Sequence, residues 1–361
     1  IRNGQDDISS KTGVYDTRTR SFTFKDDVVI TNPEYQLYSD TLHYDTRSDI
    51  AYFRGPSTIY SEGSIIECRN GWYDKKQDRA QFNKDAKVTS DTRILTGDSL
   101  YYERRSGYGK GVGNVLLVDT VEKVTVSGQF SETWEDLRRY YVTDSVLMTQ
   151  VFDQDTLFVT GDTLFGKRDS MDLHSIRAYA HVKFYKSDLQ GASDSLFYSE
   201  NDSLMRLRGR PVMWSDSSQM TAKRINITMA EGEILGLDLD SLALMISRDD
   251  SIRFNQVAGE RMHGYFRENT MYRLDVFEQG RSIYHPREED SSLTGLNEVF
   301  CRNMHIYIEE NQVVRIVFLE EPYGTMFPWE DVDPRAYRLE GFSWQAADRP
   351  RSPMDIYRER P

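Results

Sequence analysis

Four aspartates with similar neighbours are the residues in this sequence most able to do chemistry. They are Asp40, Asp98, Asp162 and Asp194, and each is followed two residues later by leucine. A row of carboxylates could cleave glycosides, but that reaction needs two carboxyl groups about 5 to 9.5 Å apart, one of them with a raised pKa. An aspartate beside serine or threonine near a turn more often hydrogen-bonds to the local backbone. We therefore interpret these carboxylates as structural.

No other pattern in the sequence predicts catalysis, a cofactor or a metal ion. The Gly-x-Ser-x-Gly motif, a glycine-rich phosphate loop, His-Glu-x-x-His and Cys-x-x-Cys are all absent from the sequence. Three of the six histidines, His43, His263 and His305, occupy one outward position in different copies of a repeat, too far apart to ligate one metal ion. We predict a protein that is not an enzyme and holds neither cofactor nor metal.

The four aspartates mark a repeat that extends through the chain. The strong copies are Ser39 to Leu42, Gly97 to Leu100, Gly161 to Leu164 and Ser193 to Leu196. We call the residue at the aspartate position the anchor, and with weaker copies aligned the anchors are Lys11, Asp40, Arg69, Asp98, Gly128, Asp162, Asp194, Lys223, Glu260, Arg302 and Glu340. Consecutive anchors are 29 to 42 residues apart. Such a period indicates units that bury their apolar faces against their neighbours.

Apolar residues recur two and four positions after the anchor. The first of these positions is large and apolar in nine of the eleven copies. Positions two apart lie on one face of a β-strand, and the residues between them are mostly polar. We therefore predict an inward-facing apolar wall that consists of Leu42, Tyr44, Phe53, Tyr73, Leu100, Tyr102, Phe130, Leu164, Leu196, Tyr198, Ile225, Ile227, Met262, Met304 and Ile306.

The residue before the anchor is small in ten of the eleven copies, which predicts a corner where each strand bends from one sheet into another. Pro56 and Pro211 mark a partner corner on the returning strand. Both cysteines, Cys68 and Cys301, occupy the small position. Because they lie seven units apart, they are too distant for a disulfide, and we expect two semi-buried thiols.

Short polar segments after the aromatic column predict hairpin tips, for example at residues 45–49, 74–78, 103–107 and 199–203. A second polar tip closes each unit, and two reversals per unit require antiparallel strands. We predict an all-β fold, an elongated antiparallel β-jellyroll of about eleven tandem hairpin repeats of roughly 30 residues, with two facing sheets and an apolar slot. Regular repeats would cover residues 1–222, the same jellyroll with longer insertions residues 223–348, and a loose tail residues 349–361.

Composition excludes several classes of protein. The 45 basic and 58 acidic residues leave a net charge of -13, which opposes general affinity for nucleic acid. The longest apolar run, Leu242 to Ile246, is far shorter than the roughly 20 residues of a membrane-spanning helix. The 44 aromatic residues argue against disorder. Because the chain opens with Ile1 and no apolar leader, we expect either a cytosolic protein or one whose export signal has been removed.

Three functional hypotheses remain open. The apolar wall could line a slot for a flexible lipid, because glycines at positions 13, 71, 166 and 264 interrupt it. It could equally be the closed core of a structural or adhesive β-stack that binds nothing. A third hypothesis is a glycan-binding or glycan-cleaving jellyroll that uses outward aromatic residues such as Tyr52 and Tyr101.

The repeat unit resembles the OstA-like family of lipopolysaccharide-transport proteins. The resemblance rests on a motif in which a small residue is followed by Asp-x-Leu-x-Tyr. A polar tip comes next, and then a strand of the form x-Ala-x-Phe-x-Gly. It is carried by Ser39 to Tyr44 with Ala51, Phe53 and Gly55, by Gly97 to Tyr102, by Gly161 to Phe165, by Ser193 to Tyr198 with Gly209, and at the end by Leu339 to Trp344.

The resemblance implies a periplasmic jellyroll that binds lipopolysaccharide or lipid A and passes it toward the outer membrane. It also implies that the residues of the inward wall contact the acyl chains. Other jellyroll transport components would be partners, docked by main-chain pairing of open edge strands.

Overall fold

The strands of the computed structural model follow one another as antiparallel hairpins along the chain. The structure describes residues 2–3, 5–61, 63–153, 155–288, 290, 292–310 and 312–358. It forms two units, of which unit 1 comprises residues 1–151 and 162–172 and unit 2 comprises residues 152–161 and 173–361. The predicted all-β class with consecutive antiparallel hairpins is confirmed.

Unit 1 contains twelve complete strands among the described residues. They are β1 (Arg2–Asn3), β2 (Asp6–Ser9), β3 (Thr12–Asp16), β4 (Ser21–Thr31), β5 (Tyr35–Asp45), β6 (Ile50–Ser61), β7 (Ser64–Asp74), β8 (Arg79–Ser90), β9 (Arg93–Glu103), β10 (Tyr108–Asp119), β11 (Val124–Trp134) and β12 (Arg139–Val151). Strand β13 (Thr156–Arg168) has residues in both units.

Unit 2 contains the remaining strands, which are β14 (His174–Tyr185), β15 (Gln190–Ser199), β16 (Leu204–Arg208), β17 (Val212–Ser215), β18 (Ser218–Thr221), β19 (Arg224–Ala230), β20 (Glu233–Arg248), β21 (Phe254–Arg267), β22 (Thr270–Phe277), β23 (Gly280–Tyr284), β24 (Gly295–Cys301), β25 (Asn303–Glu309), β26 (Gln312–Leu319) and β27 (Tyr323–Pro328). A 3₁₀ helix at Trp329–Asp331 and the short helix α1 (Pro353–Arg358) follow.

Aspartates at the ends of strands form the predicted hairpin tips. The carboxylate of Asp45 accepts a hydrogen bond from the backbone N–H of Arg47 at 2.8 Å, and that of Asp74 accepts one from Lys76 at 3.1 Å. At the tip, this side-chain bond to the backbone takes the place of the hydrogen bonds between strands, and it stabilises the turn that reverses the chain. The capping N–H groups also lower the pKa of Asp45. The sequence therefore encodes each reversal locally.

Each long strand bends at a corner near the anchor. In β5 the pairing with β6 is interrupted between Ser39 and Thr41, which confirms the corner predicted at Asp40. Two consecutive residues with positive φ stand opposite most corners, for example Asp26 with Asp27 and Ser241 with Leu242. The N–H of Lys223 donates to the carbonyl of Ser241 at 2.9 Å. Such bulges redirect a strand without ending its pairing.

The corners divide the strands of unit 1 into two layers. Layer A contains segments such as residues 21–25, 41–45 and 50–54, and layer B contains segments such as residues 28–31, 35–39 and 57–61. One apolar cluster includes Phe24, Leu42 and Phe53 from layer A together with Val28 and Leu37 from layer B. The layers therefore face each other across a shared core.

The C-terminal part of the chain differs from the predicted repeat pattern. Strands on both sides of residue 222 belong to unit 2. Strand β19, after this residue, pairs with β16 before it and with β20 after it, so strand pairing continues across the predicted boundary. The predicted copy at Glu340 is wrong, because residues 339–344 form no strand.

The segment predicted as a loose tail, residues 349–361, includes a short helix in its described part, 349–358. Helix α1 forms there and Ile356 is only 3% exposed. Residues 359–361 lie outside the described residues.

No helix in the described ranges has the length and apolar character to cross a membrane.

Candidate functional site

The interior of unit 1 is apolar and combines aliphatic with aromatic side chains. Buried members of its cluster include Phe24, Phe53 and Phe82, with half-buried tyrosines packed against them. The rings of Phe53 and Phe82 are 6.2 Å apart between centroids. Such a surface can bind hydrocarbon.

Three tyrosines line this interior where the strands meet the hairpin tips. Tyr73 packs against the core cluster, and Tyr44 and Tyr102 are half-buried on the strand faces that carry Leu42 and Leu100. The hydroxyl groups of all three tyrosines donate to acidic residues at the tips. The Tyr73 hydroxyl donates to Asp78 at 2.9 Å, and the Tyr102 hydroxyl donates to Glu135 at 3.0 Å. Burial and the neighbouring carboxylate raise the pKa of Tyr102 to about 12. We call these three residues the tyrosine rim.

The slot predicted between the sheets is filled by side chains at several places in unit 1. Tyr35 of layer B contacts Tyr73 of layer A edge to face, with centroids 6.4 Å apart. A Cβ added at Gly71 would lie 2.5 Å from the ring of Phe53, so that ring occupies the space left by the glycine. Tyr140 covers Gly166 in the same way. These interruptions of the wall accommodate neighbouring rings.

The interior of unit 2 is rich in methionine. Met205, Met213, Met220, Met262 and Met304 are each at most 2% exposed. Unbranched thioether side chains change rotamer easily and adapt to irregular shapes. The methionines therefore give unit 2 an interior that can change shape.

A cavity of about 40 Å³ lies between the two layers of unit 2. Leu274 and Ile306 line it from one layer, and Met245, Val257 and Ser282 from the other. The buried Ser282 hydroxyl has no hydrogen-bond partner. A space of this size holds about one water molecule, so an acyl chain could enter only if side chains moved.

Most residues of the predicted wall lie in these interiors. Leu42, Phe53, Leu100, Leu164, Leu196, Ile225, Ile227, Met262, Met304 and Ile306 are buried, and Tyr44, Tyr73, Tyr102 and Tyr198 are half-buried. Their contact with a lipid stays a prediction.

Phe130 is the exception to the predicted wall. It lies on the outer face of layer A, where Lys110 stands 5.3 Å from its ring centroid, and Ser131 takes the buried position. The pairing of β11 with β12 is interrupted between Ser127 and Phe130. At this corner Gln129 takes the place that Asp40 has in β5, whereas the sequence alignment placed the anchor at Gly128. A slip of one residue moves a side chain to the opposite face of a strand.

The anchor aspartates support corners. Asp40 and Asp98 lie against Gly55 and Gly113 of the next strand, and Asp194 lies against Gly209 between β16 and β17. Asp98 also accepts a hydrogen bond from the side chain of Asn114 at 3.1 Å, and Asp194 lies 3.5 Å from Arg210. The observed contacts are those of structural carboxylates.

Two of the outward histidines stand in a row with aspartates. Strand pairing aligns Asp238, His263, Asp275 and His305. His263 is 2.6 Å from Asp238, and His305 is 2.7 Å from Asp275. Within the part of the chain that the structure describes, no group of three or more potential ligands could hold a metal ion.

Both cysteines are buried free thiols. Burial raises the pKa of Cys68 to about 11, which keeps the sulfur protonated and unreactive at neutral pH. They sit beside corners, as their position in the repeat predicts.

Sequence reasoning missed a C-terminal strap, which we define as residues 337–349. It crosses the outer face of the layer of unit 2 to which β17, β18 and β23 belong, where Gln190, Gln219 and Gln256 are almost fully buried. The Gln219 amide donates to the carbonyl of Ser343 at 2.6 Å and accepts from the N–H of Gln345 at 2.7 Å. Gln256 binds the backbone of Tyr337 and Leu339 in the same two-way manner.

Four strands have one side free of strand partners among the described residues, and one of them, β1, pairs only with β2. β3 pairs only with β4, and all five of its residues are exposed. In unit 2, β26 pairs only with β25, and β27 pairs only with β24. Unpaired edges can accept a further strand by main-chain hydrogen bonding.

Comparisons with known proteins locate one family match. Residues 1–40 match the family of OstA-like proteins, which confirms the resemblance over that segment. One similar solved structure is LptH of Pseudomonas aeruginosa, described as the LptA-homologous periplasmic component of the lipopolysaccharide-transport device. It is 15% identical, covers 30% of this chain and 82% of its own, and has a TM-score of 0.28. The fold described above rests on the strands themselves, not on this similarity. No curated protein matches the chain.

Proposed function

We propose that this protein is a non-catalytic periplasmic carrier that holds the acyl chains of lipopolysaccharide or lipid A between its layers and passes them toward the outer membrane. The observation that carries the proposal is the apolar interior shared by both layers of unit 1. The OstA-like match of residues 1–40 supports it. The sugars and phosphates of the lipid would stay outside in water, on the side of the hairpin tips.

Burial of hydrocarbon supplies the binding energy in this proposal. Each methylene group transferred from water to an apolar interior gains about 0.8 kcal/mol. Because the interior is filled in the absence of lipid, part of this gain would be spent on parting the layers. The tyrosine rim is where an acyl chain would enter unit 1, since its residues are half-buried and end at the solvent. In unit 2 the methionines would give way most easily.

Edge strands would connect the carrier to its partners. β3 offers a fully exposed edge in unit 1, and β26 offers one in unit 2. A jellyroll partner could extend the sheet at either edge by main-chain pairing. This partner class rests on the resemblance to OstA-like proteins together with these free edges.

A structural β-stack with a closed core is the second candidate. The ring of Phe53 over Gly71 and the contact of Tyr35 with Tyr73 favour it, because both fill space between the layers. The two candidates differ in whether the layers part for a lipid.

Photo-crosslinking distinguishes them. We would replace Tyr102 of the rim by p-benzoylphenylalanine, which is close to tyrosine in shape, and irradiate the protein with labelled lipopolysaccharide. The matched control carries the same residue at Tyr60, which is 46% exposed on the outer face of layer B. A carrier crosslinks from position 102 and not from position 60. Equal labelling at both positions, or none from 102 in a folded protein, would favour the closed stack.

A further inference from the structure

The outer face of layer A in unit 1 carries a continuous row of aromatic rings. The row comprises Trp72, Tyr101, Tyr108, Trp134, Tyr141 and Phe165, which we call the aromatic platform. Successive ring centroids are 6.2, 6.3, 5.8, 6.1 and 5.6 Å apart. The rings lie on strands from β7 to β13, so at about 4.8 Å per strand the row is roughly 29 Å long.

Hydrogen-bonding groups stand between the rings of the platform. The hydroxyl of Tyr101 donates to Glu103 at 2.6 Å, and that of Tyr108 donates to Glu132. The guanidinium of Arg139 lies 4.6 Å from the ring centroid of Trp134, and that of Arg79 lies 5.8 Å from Trp72. Carboxylates accept and guanidinium groups donate, so the platform offers both halves of the hydrogen bonds that a hydroxyl group makes.

The platform lies away from any strand edge. Strands β7 to β11 are each paired on both sides, so their backbone groups are already used. A peptide therefore could not add as a further strand here. A membrane surface would desolvate Glu103 and Glu132, which is costly for charged groups. Nucleic acid would meet these carboxylates on a chain whose net charge is -13.

We infer that the aromatic platform of unit 1 binds an oligosaccharide. The C–H face of a sugar ring is slightly positive and packs on the negative face of an aromatic ring. Its hydroxyl groups would donate to the carboxylates. The guanidinium groups of Arg139 and Arg79, the second of which also pairs with Asp74 at 3.2 Å, would donate to a phosphate or another acidic substituent. The inference does not depend on lipid inside the layers. The saccharide could belong to a lipid-linked glycan or to a free polysaccharide.

Calorimetry with two lipid-free probes tests the inference. The probes are core oligosaccharide released from lipopolysaccharide by mild acid, and neutral dextran oligosaccharide. The variant combines Tyr101→Ala with Trp134→Ala, and the matched control is Tyr60→Ala, an exposed tyrosine outside the platform. We expect about a tenfold loss of affinity in the double variant and no loss in the control. If the protein binds the core oligosaccharide more tightly, its ligand is a lipid-linked glycan. If it binds dextran equally well, the platform binds polysaccharides in general.

Two results would overturn the inference. One is wild-type affinity in the double variant, and the other is the absence of binding of either probe to the wild-type protein at millimolar concentration. Circular dichroism verifies that the variant is folded, and a second variant with Tyr101→Phe and Trp134→Phe should retain most of the affinity. Crosslinking of lipopolysaccharide from position 102 should be unchanged in the double variant, which separates failure here from failure of the lipid carrier.

Discussion

The carboxylate of Asp40 in β5 lies directly against Gly55 of the neighbouring strand β6, where the backbone has a φ of 86°. A Cβ at residue 55 would be 2.7 Å from the Cβ of Asp40, closer than such atoms approach. The left-handed backbone and the close approach thus both require glycine at this corner. The same relationship joins Asp194 with Gly209.

Replacing this glycine should destabilise unit 1. Gly55→Ala combines the cost of a positive φ, about 1 to 2 kcal/mol, with a steric clash against Asp40. Gly63→Ala is the matched control, because φ there is 73° but nothing lies within 4 Å of the added Cβ. Thermal unfolding should show a larger decrease in Tm for Gly55→Ala. Equal decreases would mean that the contact with Asp40 does not constrain the corner.

The register of β11 can be tested with two truncations. Leu100→Ala removes a side chain that is 4% exposed and should lower the free energy of unfolding by about 2 to 5 kcal/mol. Phe130→Ala removes an outward ring that contacts Lys110 and Tyr141, and should cost about 1 kcal/mol or less. Chemical denaturation measures both. If Phe130→Ala lowers the free energy of unfolding as much as Leu100→Ala does, Phe130 faces inward, as the sequence predicts.

The strap should depend on its buried glutamines. Gln219→Glu keeps the shape of the side chain but removes the N–H that donates to the carbonyl of Ser343, leaving a carboxylate in a buried position. We expect faster proteolytic cleavage within residues 337–349. Gln312→Glu, at an exposed position on β26, is the control. If both variants resist protease like the wild type, the glutamine contacts do not hold the strap.

The stability of the loop at Asp250 should depend on pH. Burial alone would raise its pKa, but hydrogen bonds from the N–H groups of Ile252 and Arg253 outweigh it and lower the pKa to about 2 from 3.8. Because the folded pKa is below the unfolded one, the carboxylate stabilises the fold above about pH 4, and this contribution is lost as the pH falls toward 2.

Asp250→Asn should therefore lower the Tm at neutral pH, and its difference from the wild type should shrink between pH 4 and pH 2. Differential scanning calorimetry across that range measures both quantities. The exposed Asp91→Asn serves as the control. A difference that stays constant with pH would show that the charge of Asp250 does not contribute.

Local patterns explain how much of the fold could be predicted from sequence. Side-chain alternation with a period of two placed Leu42 and Leu100 on the inward face, and strand-end aspartates such as Asp45 marked the hairpin tips. The small residue before the anchor located the corners. Each of these signals acts over a few residues, so the sequence alone was enough to predict antiparallel hairpins with one apolar face.

Three features depended on contacts that no local pattern records. One extra residue between corners decided which face Phe130 takes, and only the pairing of β11 with β12 reveals that residue. The strap was decided by hydrogen bonds between residues 124 positions apart, Gln219 and Ser343. The filling of the interior was decided by rings such as Phe53 that reach over a glycine of the next strand. Alternation determines which face a side chain takes, whereas the space left between two faces depends on how side chains from distant strands pack together.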